Sequence, residues 1–514
     1  MRLLAHLLFK GLLLCGGATQ VLAQIAPIAD SVEHRFLFPP HSAWFNVDAN
    51  GDRYPDFFSP TGGGTCSSQL TTHSALFRNR GDGRWDPIVS CYPGLPTMDQ
   101  LGALTFRPGM GDFDGDGDVD FVLGYHTRSL GRTGPDKFLV LNRGDWTFQE
   151  TEQTRLPNVG SLRIDPEVFA TLDVERDGDL DLVVGYVSYL PVWGPGPVHI
   201  YLNDGRGWFT DATATVLQAA VTLLPSDIQA GDFDRDGWTD LVFIDVQGPR
   251  FLLKNQQGVL VSGQSLPWQM SYGKAKVVDL DADGWLDVIT SPWQGPLQYF
   301  RNDGSGRLVD ESHRFPPYPT YSANYVETGD LDRDGRLDLT VGNQVLLQDA
   351  AGTFRNVTSQ IAPGLWFYAG VSYFLDVDRD GDIDLLYRGY QNMFGHPGSG
   401  VALNLRSQLY GSIAGSIGQP YLQIAFGQPG ELLYPMLGDT RVTLEIPGIG
   451  PWLVDPARMI PLPPFVVGPG GAQSRSFTVP ADPTLQGRTF QWQGVRVEPG
   501  NVLRSTNWYP MRIQ

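Results

Sequence analysis

Short apolar runs recur along the chain up to about residue 410, and each comes directly after an acidic stretch. Clear examples are residues 121–124 (FVLG), 182–185 (LVVG), 241–244 (LVFI) and 339–342 (LTVG). A continuous apolar run of this length indicates a strand covered on both faces, whereas a half-exposed strand alternates apolar and polar residues. The pattern therefore predicts buried β-strands at a regular interval.

A hairpin pattern follows these buried strands further along the chain. Residues 76–83 read LFRNRGDG, residues 201–205 read YLNDG and residues 299–304 read YFRNDG. Asn and Asp beside Gly between apolar runs are strong signals for a tight β-hairpin. With one strand before each acidic stretch and one after it, each repeat is expected to contain four antiparallel strands.

The acidic stretches share one nine-residue pattern, in which acids occupy positions 1, 3, 5 and 9, except that Asn50 replaces the acid at position 3 of the first stretch. These loops, numbered 1 to 7 in chain order, join the predicted first and second strands of each repeat. The candidate metal ligands are Asp48, Asn50, Asp52 and Asp56; Asp112, Asp114, Asp116 and Asp120; Asp173, Glu175, Asp177 and Asp181; Asp232, Asp234, Asp236 and Asp240; Asp279, Asp281, Asp283 and Asp287; Asp330, Asp332, Asp334 and Asp338; and Asp376, Asp378, Asp380 and Asp384.

Carboxylates at alternate positions that converge on one point repel one another strongly unless a cation lies between them. A hard divalent ion with six to eight oxygen ligands suits such a loop, which indicates Ca²⁺, up to seven ions in all. Glycine at position 6 of six loops predicts a turn with positive φ, and the position 7 carbonyl is a further expected ligand. Loop 1 has Arg53 at position 6 and Pro55 at position 8, so we expect it to be the weakest site.

Four strands repeated seven times are typical of a seven-bladed β-propeller, which we assign to residues 24–410. The repeated D-x-D-x-D-G-x-x-D loops and hairpins such as residues 203–209 (NDGRGWF) resemble the FG-GAP/VCBS repeat family. Propellers of that family include the integrin α-subunit head, so the resemblance implies the propeller fold. It implies little about function, because one fold carries many functions.

Residues 411–514 contain no acidic loop and many prolines, so the repeat pattern ends there. Short runs at residues 421–426, 442–446 and 490–493 predict strands between turns. We expect a small C-terminal β-sandwich, similar to accessory domains of secreted bacterial repeat proteins.

Residues 1–23 have the pattern of a secretory signal peptide, with Arg2 and Lys10, a leucine-rich core and Ala23 at the cleavage site. Lipidation at Cys15 is the alternative. Cys66 and Cys91 are expected to form one disulfide in an exported chain, or else to remain two separate buried thiols. No segment has the length of a transmembrane helix, so we expect a secreted, periplasmic or cell-surface protein.

The formal net charge of −19 disfavours binding to nucleic acid. About half of the 56 acidic residues belong to the loops, so this charge mainly reflects capacity for cations. We find no zinc-ligand spacing, nucleophile elbow or phosphate-binding loop. A non-enzymatic binding or adhesion module is therefore the expected function; the alternatives are a calcium-dependent polysaccharide lyase and an envelope scaffold.

The opposite face of the propeller, away from the loops, carries the connections between second and third strands. A protein or glycan ligand is expected there, because aromatic side chains suit stacking on sugars or protein hot spots. Alternatively, most of these side chains pack between blades. The residues of these connections that could contact a ligand are Tyr125, His126, Arg128, Arg132, Tyr186, Tyr189, Trp193, Trp268, Tyr272, Trp293, Tyr318, Tyr321, Tyr325, Trp366, Tyr368, Tyr387 and Tyr390. Residues 356–358 (NVT) also form a glycosylation sequon.

Overall fold

A computed structural model describes most of residues 108–358 and separate strands on either side of this range. The described residues are 29–30, 45–48, 55–59, 75–79, 85–88, 108–124, 136–144, 148–151, 154–159, 164–188, 194–218, 221–247, 250–267, 273–292, 295–317, 326–332, 334–342, 344–358, 372–376, 383–387, 400–403, 409–411, 414–415, 420–426, 432–438, 441–446, 450–454, 460–461, 464–466, 472–478, 482–486, 488–498, 502–505 and 509–513.

The described chain is all-β, as predicted, and its repeat region forms seven sheets built on four antiparallel strands each. The strands are β1 (Ala29–Asp30), which joins sheet 7; β2 (Phe45–Val47), β3 (Asp56–Ser59), β4 (Ala75–Asn79) and β5 (Trp85–Ile88) in sheet 1; β6 (Gly109–Gly111), β7 (Asp120–Gly124), β8 (Lys137–Asn142) and β9 (Phe148–Glu150) in sheet 2; β10 (Ile164–Leu172), β11 (Asp181–Ser188), β12 (Gly194–Asn203), β13 (Phe209–Asp211) and the additional β14 (Thr222–Leu223) in sheet 3; β15 (Pro225–Gly231), β16 (Asp240–Asp245), β17 (Arg250–Asn255) and β18 (Leu260–Leu266) in sheet 4; β19 (Gly273–Val278), β20 (Asp287–Pro292), β21 (Gln298–Asn302) and β22 (Leu308–Asp310) in sheet 5; β23 (Val326–Gly329), β24 (Asp338–Val341), β25 (Gln344–Gln348) and β26 (Phe354–Asn356) in sheet 6; and β27 (Ser372–Leu375), β28 (Asp384–Tyr387) and β29 (Gly400–Leu403) in sheet 7.

The second strand of each repeat carries the apolar run, and its burial follows the sequence prediction. Every residue of β7, β16 and β24 is buried. The cores lie between neighbouring sheets: Phe113 of loop 2 packs edge-on against Phe209 of sheet 3, with ring centroids 5.5 Å apart. A sheet such as sheet 3 is therefore covered on one face by the preceding sheet and on the other by the following sheet. This explains why these strands do not alternate apolar and polar residues.

The first strands bring consecutive sheets together. Contacts run from β6 to β10, β15, β19, β23 and β27 in turn. The acidic loops join first to second strands, and the hairpins join third to fourth strands, so both lie at the same end of each sheet. None of the described sheets closes on itself.

Sheet 7 takes its outer strand from the beginning of the chain. Its strand order is β27, β28, β29, β1, and Ala29 pairs with Leu403. The third strand of sheet 7 is β29, which pairs with β28. The fourth strand is β1, which explains why no hairpin pattern follows residue 403.

Three of the fourth strands end in a short Asp/Asn-x-Ser/Thr motif. In each case the hydroxyl donates to the Asp or Asn side chain and also accepts a backbone N–H from the third strand of the same sheet, at 2.9–3.1 Å. The pairs are Asp211 with Thr213, Asp310 with Ser312, and Asn356 with Thr358. The one-turn helix α1 (Thr213–Val216) and the 3-10 turn Ser312–Arg314 begin at two of these motifs.

The C-terminal residues form three further sheets in the described part of the chain. Their strands are β30 (Leu409–Gly411), β31 (Ala414–Gly415), β32 (Pro420–Phe426), β33 (Leu432–Gly438), β34 (Arg441–Ile446), β35 (Gly450–Val454), β36 (Ile460–Pro461), β37 (Phe465–Val466), β38 (Ala472–Thr478), β39 (Thr489–Glu498), β40 (Val502–Ser505) and β41 (Tyr509–Ile513). A seven-stranded sheet centres on β33 and β39, and a 3-10 turn lies at Pro483–Leu485. The strands β30, β32 and β38 form the second sheet, and β34 and β35 the third.

Candidate metal centres

Loop 2 shows how the nine-residue pattern folds. The side chain of Asp112 at position 1 accepts the N–H groups of Gly117 at 2.9 Å and Asp116 at 3.1 Å. Asp116 in turn accepts the N–H of Asp118 at 3.0 Å. Gly117 has a φ of 93°, as predicted from glycine at position 6, and its counterparts in loops 3 to 6 have φ of 85–100°. The loop is thus wound around its own first carboxylate.

The aspartate at position 9 begins the second strand and is buried. In loop 2, Asp120 accepts the N–H of Phe113 and the N–H of Asn142, both at 2.8 Å. Both bonds recur in loops 3 to 6, whose position 9 residues are Asp181, Asp240, Asp287 and Asp338. This residue therefore joins the start of its loop to the end of the third strand.

Carboxylate oxygens converge in four of the described loops. In each, one oxygen from each of three acids lies within 4.8 Å of the other two. Loops 2, 5 and 6 use positions 1, 3 and 9, and loop 4 uses positions 1, 3 and 5. The triads are Asp112, Asp114 and Asp120; Asp232, Asp234 and Asp236; Asp279, Asp281 and Asp287; and Asp330, Asp332 and Asp338.

Several of these oxygens are buried and have no hydrogen-bond donor. They include Oδ1 of Asp114, Asp234 and Asp281 at position 3, and Oδ1 of Asp232 and Asp279 at position 1. A buried carboxylate oxygen without a donor is costly, because it has lost water and gained no partner. Oxygens of this kind, within triads of carboxylates, fit the ligand set of a hard divalent cation such as Ca²⁺.

Basic side chains contact the outer oxygens of the same acids. Arg143 lies 2.7 Å from Oδ2 of Asp114, and Lys254 lies 2.8 Å from Oδ2 of Asp234. In both acids the other oxygen, Oδ1, is buried and has no hydrogen-bond donor, so it remains available to a cation.

The raised pKa values of the position 9 carboxyl groups also fit a cation site. Burial raises the pKa of Asp120 to about 7, and repulsion from Asp114 and Asp116 adds to the effect, while the two backbone N–H bonds oppose it. Burial likewise raises the pKa of Asp338 to about 7, and of Asp240 and Asp287 to about 6. A divalent ion among the carboxylates would favour their charged forms.

Loop 3 differs from its neighbours. Glu175 at position 3 shares a hydrogen bond with Asp181 at position 9, and burial raises the pKa of both groups. Glu175 Oε2 is buried without a hydrogen-bond partner. No triad forms in the described residues of loop 3. Glutamate is one methylene group longer than the aspartate found at position 3 of the neighbouring loops, and its carboxyl group therefore reaches that of Asp181.

The remaining predicted ligands occupy less central places or are not described. The position 5 residues Asp116, Asp177, Asp236, Asp283 and Asp334 are exposed, and among them only Asp236 belongs to a triad of the described loops. In loop 1, Asp56 is buried and accepts the N–H of Asn79 at 2.8 Å, and in loop 7 Asp384 is buried. Asn50, Asp52, Asp378 and Asp380 lie outside the described residues, so their roles remain predictions.

An amide side chain links each of loops 3 to 6 to the preceding loop, and the sequence analysis does not single it out. Asn203 ends the third strand of sheet 3, and its Nδ2 donates to the Phe113 carbonyl of loop 2 at 2.9 Å. Equivalent bonds are made by Asn255, Asn302 and Gln348 to loops 3, 4 and 5. The recurring Asn before the hairpin turn is the sequence signal for this link, although the hairpin pattern by itself indicates only a turn residue.

Tyr186 does not lie on the ligand-facing surface where we expected it. It is fully buried between sheets 2 and 3, where its hydroxyl lies 3.0 Å from both the Tyr201 hydroxyl and Lys137 Nζ. Lys137 also donates to Asp136 at 3.1 Å and to the Pro157 carbonyl at 2.6 Å. This network satisfies the buried lysine, so the alternative of packing between sheets holds for Tyr186.

Other predicted features fall outside the described residues. Apart from Tyr186, and from Tyr387 in β28, whose side chain is not described, all of the predicted opposite-face residues lie there. So do Cys15, Cys66, Cys91 and residues 1–23. Within the described residues, no helix has the length and apolar character needed to cross a membrane.

Comparison with solved structures gives similarities at low identity. The chain is similar to the V. cholerae biofilm matrix protein Bap1 (12% identity, 66% of this chain and 65% of that chain, TM-score 0.28). It is also similar to an exo-β-1,3-galactanase from Phanerochaete chrysosporium (10% identity, 78% of this chain and 95% of that chain, TM-score 0.30). A third similar structure is the NanB sialidase of Streptococcus pneumoniae (13% identity, 74% of this chain and 69% of that chain, TM-score 0.34). The chain thus spans somewhat less than two thirds of the length of Bap1. TM-scores this low carry no information on activity or ligand.

A search of curated proteins gives no match. The model of the FG-GAP-like repeat matches four segments, residues 48–123, 112–184, 186–243 and 279–341, which together cover half of the chain. Each matched segment contains at least one of the acidic loops or the strand that follows it. The chain therefore belongs to the FG-GAP-like repeat family.

Proposed function

We propose that this protein is an exported, calcium-stabilised seven-bladed β-propeller that acts as a non-enzymatic binding module for a protein or glycan. The observation that carries the proposal is the repeated triad of carboxylates in loops 2, 4, 5 and 6, with buried, donor-free oxygens in loops 2, 4 and 5. A catalytic centre is normally unique in a chain, whereas an element that fastens repeats recurs. Calcium in these loops would hold the first and second strands of each blade together.

The arrangement of the sheets supports the propeller. Seven four-stranded sheets follow one another, their first strands are in contact from sheet 2 to sheet 7, and β1 completes sheet 7. Adding the N-terminal strand to the last sheet would join the two ends of a ring. The contacts of β30 with β39 and β41 support a C-terminal β-sandwich, in which the three-stranded sheet would cover the seven-stranded one.

The ligand would bind on the face opposite the loops. The loop face is committed to hydrogen bonds and metal ligation, while the opposite face carries the connections between second and third strands, rich in Tyr and Trp. Such residues suit a sugar or a protein hot spot. Export follows from the signal-peptide pattern of residues 1–23.

A glycan array probed with calcium-loaded protein, with a parallel assay for unsaturated sugar products, tests this function. We expect binding without turnover. The double variant Trp193→Ala/Trp293→Ala, at two positions predicted to lie on the opposite face, should weaken binding at least tenfold. Trp208→Ala, at an exposed residue (42%) of the β12–β13 hairpin at the loop end, should not. Turnover of a polysaccharide would replace this proposal with a lyase, and equal effects of the two variants would place the ligand elsewhere.

A further inference from the structure

Position 4 of the loops adopts a backbone conformation that side chains disfavour. Arg176 in loop 3 and Arg235 in loop 4 have φ of 61° and 57°, in the left-handed region. Such a conformation persists only where the surroundings hold it in place. Position 4 lies between the acids at positions 3 and 5, so the conformation of this arginine depends on how its loop is ordered.

Each of these arginines reaches the next loop. The guanidinium of Arg176 lies 5.3 Å from the ring centroid of Trp238 in loop 4, and that of Arg235 lies 4.5 Å from Trp285 in loop 5. Both tryptophans occupy position 7, beside the position 6 glycine. A Cβ on Gly284 would collide with the guanidinium of Arg235, so the arginine packs directly on the turn of the next loop.

A second link joins the same loops. The Asn302 side chain donates to the Phe233 carbonyl of loop 4 at 2.8 Å, and its backbone N–H donates to Asp287 of loop 5 at 2.7 Å. Asn255 makes the same two bonds to loops 3 and 4, at 2.9 and 2.7 Å. One residue thus contacts a loop and the position 9 ligand of the next.

We propose that ion binding at loops 3, 4 and 5 is energetically coupled through the Arg–Trp stacks, so that these loops fill cooperatively. The inference rests on the proposed calcium function. An ion in one loop fixes the acids on both sides of the position 4 arginine and so orders the guanidinium. The ordered guanidinium then holds positions 6 and 7 of the next loop in their ligand-binding conformation, and the second ion pays less ordering entropy.

The coupling should weaken between loops 5 and 6. Position 4 of loop 5 is Ala282, which also has a left-handed φ of 57° but carries no group that could stack. The amide link there is longer, since Gln348 Nε2 lies 3.3 Å from the Leu280 carbonyl. The set of loops that fill cooperatively is therefore predicted to end at loop 5.

A calcium titration of the full chain in competition with a chromophoric chelator tests the proposal. The wild type should bind several ions with a Hill coefficient above 1. Arg235→Gln should bind the same number of ions with a Hill coefficient closer to 1 and a roughly 2- to 5-fold weaker late binding step. Arg235→Lys should behave like Arg235→Gln, because lysine does not reproduce a stacked guanidinium. Arg355→Gln, an exposed position on outer strand β26, is the matched control and should match the wild type.

The outcomes separate the two proposals. A wild type that binds no calcium would overturn the calcium function itself. Full stoichiometry with identical curves for the wild type and Arg235→Gln would overturn the coupling alone. Circular dichroism at saturating calcium checks that the variant is folded. Should Arg235→Gln be unfolded, Arg176→Gln applies the same test at the junction of loops 3 and 4, with the same expected loss of cooperativity.

Discussion

The backbone N–H of Asn203 donates a 2.8 Å hydrogen bond to Oδ1 of Asp181, while the Asn203 side chain donates to the Phe113 carbonyl of the preceding loop. One residue at the end of a third strand therefore contacts the acidic loops of two sheets. Its Oδ1 also accepts the N–H groups of Asp204 and Gly207, which shapes the hairpin turn. Nearly every polar group of this buried side chain is used.

Replacing Asn203 with Ala should destabilise the protein by about 2–4 kcal/mol, because the Phe113 and Leu180 carbonyls and two hairpin N–H groups lose their partner. Urea denaturation followed by circular dichroism measures this cost. Thr210→Ala, at an exposed position on the adjacent strand β13, should change stability by less than about 0.5 kcal/mol. Equal effects of the two changes would show that the link between loops contributes nothing.

Asp120 and Asp116 should differ sharply in mutational cost even without metal. Asp120→Ala removes a buried acceptor of two backbone N–H bonds, and we expect a loss of about 3 kcal/mol. Asp116→Ala removes an exposed carboxylate that accepts one short-range N–H bond, so its cost in chelator should be about 1 kcal/mol or less. Denaturation in chelator measures both. A larger loss of stability for Asp116→Ala than for Asp120→Ala would contradict the greater structural role assigned to Asp120.

Chelation should lower the apparent melting temperature, and added Ca²⁺ should restore it. Each site filled at one hundred times its dissociation constant stabilises the folded state by about 2.7 kcal/mol. Differential scanning fluorimetry with EDTA, then with excess Ca²⁺ or Mg²⁺, measures the effect. Ca²⁺ should restore more stability than Mg²⁺, because Mg²⁺ demands a smaller octahedral site. Identical melts in all three conditions would rule out structural calcium.

The calcium-free protein should lose stability as the pH rises from about 4 to about 7. The folded-state pKa values of Asp120 and Asp338 are raised to about 7, and those of Asp240 and Asp287 to about 6, against an ordinary value of 3.8. The folded state then binds these protons more tightly than the unfolded chain, so the stabilisation is complete below pH 4 and lost through pH 6–7.

Melting in chelator at pH 5.0 and 7.5 checks this pH dependence. We expect the apparent melting temperature to be lower at pH 7.5 by about 3 °C or more. Excess Ca²⁺ should remove most of the difference, since the ion stabilises the charged carboxylates. A chelated protein that melts higher at pH 7.5 than at pH 5.0 would contradict the assigned direction.

Asn356 is predicted to have a structural role that aspartate can also fill. Its Oδ1 accepts the Thr358 hydroxyl at 2.8 Å, and Asp211 and Asp310 make the same bond in sheets 3 and 5. Asn356→Asp keeps this acceptor and loses only the exposed bond from Asn356 Nδ2 to Gln344, so it should change stability by less than about 0.5 kcal/mol. Thr358→Ala should cost about 1–2 kcal/mol, because the Val345 N–H loses its acceptor. Chemical denaturation of both variants decides this, and a large loss in Asn356→Asp would contradict the shared role.

The repeat sheets were predictable because their signals are local. Nine-residue loops with glycine at position 6 and apolar runs after position 9 specify a strand, an acidic loop and a second strand without reference to distant residues. Gly117 has the positive φ that this pattern requires. The buried strands were equally clear, because four apolar residues in a row have no exposed face.

Features that depend on neighbouring sheets could not be read from the sequence. Tyr186 follows the apolar run of residues 182–185 within β11, but only the packing of sheet 3 on sheet 2 shows that its hydroxyl meets Tyr201 and Lys137. The shared hydrogen bond between Glu175 and Asp181 depends on the reach of one additional methylene group. The amide link of Asn203 joins residues 90 positions apart, a distance at which local pattern carries no signal.

The pairing of Ala29 with Leu403 has a consequence for the order of folding. Sheets 1 to 6 take all their strands from neighbouring stretches of chain, so they can form as the polypeptide emerges. Sheet 7 needs residues made at opposite ends of the repeat region, and bringing them together requires closure of a very long loop. The last sheet should therefore be the slowest to form, and until it forms β29 offers a free strand edge to other chains.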